Sequence, residues 1–127
     1  MKEKITVPNG PPTAGPYSSG VRQGGFVFLS GQIPLDPKTG QLVTGSIEEQ
    51  TARVLENLKS VLEAAGLTLD HIMKTTVFLK DMNNFSRMNE AYGKYFGAIP
   101  PARTTVEVAR LPRDVQIEIE AIAMEAR

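Results

Sequence analysis

No cysteine occurs in this chain, and only one histidine, His71. The first absence excludes disulfides, thiolate nucleophiles and sulfur-ligated metals. The second excludes a multi-histidine metal site and a two-histidine proton relay. A charge excess is lacking too: fourteen Lys and Arg residues balance fourteen Asp and Glu. Nothing global therefore advertises a nucleic acid or an anionic membrane as partner, although a local patch remains open. Long hydrophobic runs are missing: the opening "MKEKITVPNGPPTAG" has no apolar h-region, and no stretch approaches the length of a membrane span. The expectation from these absences is a cytoplasmic protein of a reducing compartment.

What is present is ordinary globular composition, 41% hydrophobic and 22% charged over 127 residues, enough for one domain, 1–127, with a core of its own. "VPNGPPTAGPYSSG" (7–20) is dense in Pro, Gly and Ser and reads as a long loop, a class that is often functional. "GFVFLSGQIP" reads as a strand, and "LDPKTGQLV" as a hairpin turn with Pro37 and Gly40 in the bend. Ser46 and Glu49 form an S-x-x-E capping box. Ile47, Val54, Leu55, Leu58, Val61, Leu62 and Ala65 then share one helical face, and Gly66 stops the helix.

"HIMKTTVFLKD" reads as a strand and "NFSRMNEAYGKYF" as a second helix, with Phe85, Met88, Tyr92, Tyr95 and Phe96 on its apolar face. "ARTTVEVARL" and "DVQIEIEAIAMEA" close the chain as strands on either side of a turn containing Pro112. There is no internal repeat or low-complexity tract. The order predicts an α+β fold, a mixed sheet with both helices on one face, of chorismate-mutase-like or ferredoxin-like arrangement.

Two helices cover only one face of such a sheet. Yet Phe26 and Phe28 alternate with Val27 and Leu29, and Phe78 with Val77 and Leu79, so both faces carry apolar residues. A half-solvated sheet should alternate apolar with polar. The pattern predicts a partner on the open face, most simply further copies of the chain; loop 7–20 folding over that face is the alternative.

Chemistry centres on "IPPARTTVEVARLP". Arg103 opens an apolar strand, where an unpaired charge is costly. It either pairs internally with Glu118 or Glu107, or binds a carboxylate from outside through its two-donor fork. On the second reading Glu118 is a general acid/base or orients a water. If the two closing strands are antiparallel neighbours, Glu118 comes within reach of Arg103. Tyr17 brings a hydroxyl to a pocket or anchors its loop. Ser30 and Gly31 offer a hydroxyl and a free N–H, or simply end a strand. Asn89 is an exposed helix position or faces a cleft, and His71 is a turn residue. "SGVRQGG" lacks the lysine of a phosphate loop, and no G-x-S-x-G elbow occurs.

"GPYSSG", "FVFLSGQIPLDPKTGQLV", "HIMKTTVFLKDMNNFSRMN" and "PPARTTVEVARLPRDVQIEIEA", in that order, resemble the RidA/YjgF family of reactive-intermediate deaminases. The resemblance spans nearly the whole chain. It implies a chorismate-mutase-like fold assembled as a homotrimer around a central β-barrel, with active sites between subunits. It also implies hydrolysis of 2-imino and 2-enamino acids, such as 2-aminoacrylate or 2-iminobutanoate and 2-iminopropanoate, to 2-keto acids and ammonia, without metal or organic cofactor. Residue by residue, Arg103 matches the arginine that binds the substrate carboxylate and Glu118 the glutamate that positions the attacking water. Tyr17, Ser30, Gly31 and Asn89 match cleft-lining positions, and Thr105 stands where many members have cysteine. The same resemblance keeps two alternatives open: a ligand-sensing regulatory trimer, and an endoribonuclease or translation inhibitor.

Overall fold

The computed structural model describes residues 1–125. Its strands are β1 (Glu3–Ile5), β2 (Gly20–Gln23), β3 (Phe26–Gln32), β4 (Ile72–Leu79), β5 (Ala102–Glu107) and β6 (Ile117–Met124), and its α-helices are α1 (Ile47–Ala64) and α2 (Phe85–Gly93). All six strands join one sheet in the order β1-β2-β3-β6-β4-β5. β4 and β5 run parallel, connected through α2, while β6 is antiparallel to both β3 and β4. β3 and β4 are therefore parallel to each other, joined through α1, with the last strand filling the gap between them. This is the α+β, chorismate-mutase-like arrangement expected.

α1 forms where the sequence signals it. Ser46 Oγ accepts from the Glu49 N–H at 3.2 Å, and Glu49 reaches back to complete the capping box, a device worth about 1 kcal/mol. Its apolar stripe is buried as predicted: Val54, Leu55, Leu58 and Leu62 are fully enclosed against Val27, Val77, Leu79, Ile117 and Ile119 of the sheet. Each such side chain contributes about 1.5–3 kcal/mol of burial. α2 adds Met88 and Tyr92 to the same core. It ends at Gly93, earlier than its apolar pattern suggests, and Tyr95 and Phe96 pack on the core from the following turn.

The strands depart from the sequence reading in four places. β5 and β6 are not neighbours, because β4 lies between them; the turn around Pro112 carries the chain past β4 rather than into a hairpin. β1 and β2 are strands that the sequence reading does not contain: β1 precedes the loop assigned to 7–20, and β2 shares only Gly20 with it. The Gly24–Gly25 pair, with φ of +60° and +84°, closes a two-residue hairpin between β2 and β3, a turn that needs positive φ at both positions. The "LDPKTGQLV" turn closes with a single bridge, Leu35 to Leu42. The final strand begins at Ile117; Ala126, the end of the stretch assigned to it, lies outside the described residues.

The two faces differ as predicted. Val27, Leu29, Val77 and Leu79 are buried under the helices, whereas Phe26 and Phe28 on the open face are 45% and 47% exposed and Met73 is 56% exposed. Loop 7–14 does not cover them. It lines a cavity with α1 and the turn after β3, and only Tyr17 and Ser18 reach the rim of the open face beside Phe28.

Candidate active site

The sequence-predicted residues separate into two groups, one on each face of the sheet. Rows across the strands fix this assignment. Thr75 on β4 pairs with Ala121 on β6 and with Arg103 on β5, and Val77 pairs with Ile119 and Thr105. Thr75, Val77, Ala121 and Ile119 are buried under the helices, so Arg103 and Thr105 point to the helical face, at the sheet's edge. Phe78 pairs with Glu118 and Val106, the intervening row, so Glu118 points to the open face.

Among the described residues Arg103 has no carboxylate partner. The ion pairs among the described residues are Arg22–Glu125, Lys80–Asp114 and Arg87–Glu48. Glu107, the other internal candidate, instead accepts the Met82 N–H at 2.8 Å. The guanidinium carbon of Arg103 lies over aromatic rings of α2, 4.8 Å from the Tyr92 centroid and 5.6 Å from that of Phe85. Asn89 sits four residues after Phe85 and three before Tyr92, on the helix face turned to β5. The Asn89 Oδ1 and Thr105 Oγ1 atoms are buried without a hydrogen-bond partner among the described residues. Buried acceptors without partners are uncommon in folded proteins, and two of them accompany a half-buried, unpaired arginine.

On the open face Glu118 is half-buried, and its carboxyl is pushed above the ordinary carboxylate range by burial and, secondarily, by Glu120 two residues along the same face. Gly31 lies against it: a Cβ added at Gly31 would stand 2.6 Å from Glu118 Oε2. Any larger residue here would push the Glu118 carboxyl aside. The shift in register between Leu29 and Gln32 of β3 sets Gly31 at that point. Ser30 ties the preceding loop to β3: its Oγ donates to the Ser18 carbonyl at 2.6 Å and its N–H to the Ser19 carbonyl at 3.0 Å. Tyr17, at the loop's end, is exposed beside Gly31 and Ser19. His71 caps its own turn, Nδ1 accepting the Thr68 N–H at 3.0 Å.

Sequence reasoning missed Thr75 and treated Tyr92 and Phe85 as core alone. The signal was available only in part: a threonine amid the apolar side of "TTVFL" asks for a buried partner, but its sequence position does not say which. Arg103 with Thr105 and Asn89 thus forms one group, offering a cation on the helical face, and Glu118 with Gly31, Ser30 and Tyr17 forms another, offering a carboxyl toward the open one.

A family model described as Endoribonuclease L-PSP matches residues 7–125. A RutC family protein of Pyrococcus horikoshii is 58% identical over 97% of this chain and 98% of its own length. A 2-iminobutanoate/2-iminopropanoate deaminase of Salmonella typhimurium is 51% identical over 98% of each chain. TdcF of Escherichia coli, solved with bound serine, superposes with a TM-score of 0.92 at 44% identity, covering 98% of this chain and 99% of that one. With its fold, its motifs and these relatives in agreement, the chain belongs to the RidA/YjgF family, whose model carries the L-PSP description.

Proposed function

We propose that this protein is a hydrolase of short 2-imino and 2-enamino acids, releasing 2-keto acids and ammonia in clefts between the subunits of a homotrimer. The observation that carries this reading is the division of complementary groups between opposite faces of one protomer's sheet. A pocket holding both Arg103 and Glu118 requires a second copy, and the exposed apolar face with Phe26 and Phe28 gives copies a surface to share. The deaminase relative and the serine-bound one support the substrate class, since serine carries an α-carboxylate and an α-nitrogen.

In this mechanism Arg103 of one subunit binds the substrate carboxylate through its fork of N–H donors. An enamine first takes a proton from solvent at its β-carbon and becomes the protonated imine. Glu118 of the neighbouring subunit, with its raised proton affinity, orients a water and takes a proton as the water oxygen bonds to the C=N carbon. Glu118 returns that proton to the nitrogen of the carbinolamine; as the C–N bond breaks, the hydroxyl proton passes back to Glu118 and on to solvent, the oxygen becomes the keto group, and ammonia leaves. Gly31 provides the space in which the carboxyl moves. The reaction demands positioning more than activation, because the intermediate is already electrophilic.

The test is to generate 2-aminoacrylate or 2-iminobutanoate with a serine/threonine dehydratase and follow decay of the intermediate. Wild type should accelerate it over buffer, and Arg103→Ala and Glu118→Ala should not. No acceleration with several amino-acid precursors would sink the hydrolase. Cleavage of RNA under the same conditions would replace it with the activity in the family's description.

A further inference from the structure

Arg103 could have rested on a carboxylate; it rests on rings instead. Its guanidinium carbon lies 4.8 Å from the Tyr92 centroid and 5.6 Å from that of Phe85. An aromatic face attracts a cation without neutralising it, so the whole charge stays available to an incoming anion. Tyr92 is not free to turn away. It is buried, its ring packs on Phe96 with centroids 4.7 Å apart, and its hydroxyl shares a 2.7 Å hydrogen bond with Thr75 Oγ1.

Thr75 is itself fully buried among apolar neighbours. A valine would fill the same space, and a hydroxyl there is costly unless it is paired. Its partner is the ring beneath Arg103, and Thr75 is also the residue paired with Arg103 across β4 and β5. One row of the sheet thus supplies both the arginine and the pin that fixes its support.

We propose that Tyr92, pinned by Thr75, is a positioning residue that holds the Arg103 guanidinium preorganised for a carboxylate. The inference rests on the proposed function for the identity of that carboxylate, but the cradle is a property of the protein alone. A long, flexible arginine loses rotamer freedom when it binds; one already laid on a fixed ring loses less.

The experiment pairs arginine NMR with ligand titration on the full chain, using 2-oxobutanoate as probe. In wild type the Arg103 Nε–H and δ-methylene protons, assigned by their loss in Arg103→Lys, should be displaced upfield by the ring current of Tyr92. Tyr92→Leu should remove most of that displacement, leaving the smaller share owed to Phe85, and weaken 2-oxobutanoate binding about tenfold, with Tyr92→Phe recovering to within about threefold of wild type. Thr75→Val, which keeps the ring but unpins it, should give an intermediate displacement. A purely structural role would lower the denaturation midpoint of these variants without moving the arginine signals.

Arg103 signals at ordinary positions in wild type, or unchanged in folded Tyr92→Leu, overturn the proposal. If Tyr92→Leu does not fold, the wild-type, Tyr92→Phe and Thr75→Val spectra decide it by the same criterion. If wild type fails to bind 2-oxobutanoate, the substrate class fails and the spectra still decide the cradle.

Discussion

Arg103 and Glu118 stand on opposite faces of one sheet, two strands and three rows apart, roughly 10 Å in each direction at ordinary strand spacings. No side-chain movement brings them together within a protomer, so their cooperation has a genetic signature. Arg103→Ala and Glu118→Ala should each be inactive alone. Unfolded together and refolded at equal amounts, they should recover about a quarter of wild-type activity, the fraction of interfaces that combine two intact halves in random trimers. Turnover measured before and after mixing checks this. No recovery, with trimers confirmed by light scattering, places both groups in one protomer's site and overturns the division.

Gly31→Ala tests the Glu118 side of the cleft. The added methyl would meet Oε2 at 2.6 Å and Cδ at 2.9 Å, so the carboxyl must swing aside while the backbone stays as it is. Misplacing a reacting group by about an ångström costs 10- to 100-fold in rate. The expected variant is folded, assembles normally and has turnover reduced by about that factor. Wild-type turnover would mean that the position of the Glu118 carboxyl is immaterial.

Helical information was local and therefore readable. Ser46, Glu49 and Gly66 mark α1 within a few residues of its ends, and the buried stripe follows from spacing alone. Strand order was not local. Nothing in "ARTTVEVARL" or "DVQIEIEA" says that β4, some thirty residues earlier in the chain, inserts between them; this depends on α1 and α2 returning the chain to the same sheet. The apolar open face was legible because Phe26 and Phe28 break the expected alternation. Which face each site residue occupies was legible only once the rows were known, since a one-residue change of register exchanges faces. Arg103 and Glu118 were thus identifiable as residues, while their relation was not.

Thr105 carries a buried hydroxyl with no partner among the described residues, a desolvation penalty of about 1–3 kcal/mol. Thr105→Val keeps the shape and removes the penalty. The ligand-free protein should become more stable by about 1 kcal/mol, while stabilisation by added 2-oxobutanoate should shrink as a polar contact is lost. Denaturant midpoints with and without the keto acid, at fixed protein concentration, measure both. A less stable ligand-free Thr105→Val would show that the hydroxyl is paired in the assembled protein. An unchanged ligand effect would assign this position's role to its backbone.

Glu118 links the site to pH. Its carboxyl holds its proton more tightly in the folded protein than the ordinary value of 4.5, through burial first and Glu120 second. A group whose proton affinity rises on folding contributes its full stabilisation below the unfolded-state value and loses it as pH rises through the folded-state value. Above the folded-state value the Glu118 carboxylate is ionised and half-buried, a state that folding disfavours. Glu118→Gln, neutral at every pH, should be more stable than wild type at pH 7. The difference should close as pH falls to the ordinary carboxylate range. Urea midpoints of the two proteins from pH 4 to pH 8, at one protomer concentration, give this curve. A glutamine variant less stable than wild type at pH 7 would show that the assembled protein supplies Glu118 with a cationic partner, which would make it a structural ion pair and leave the water in the proposed reaction without its base.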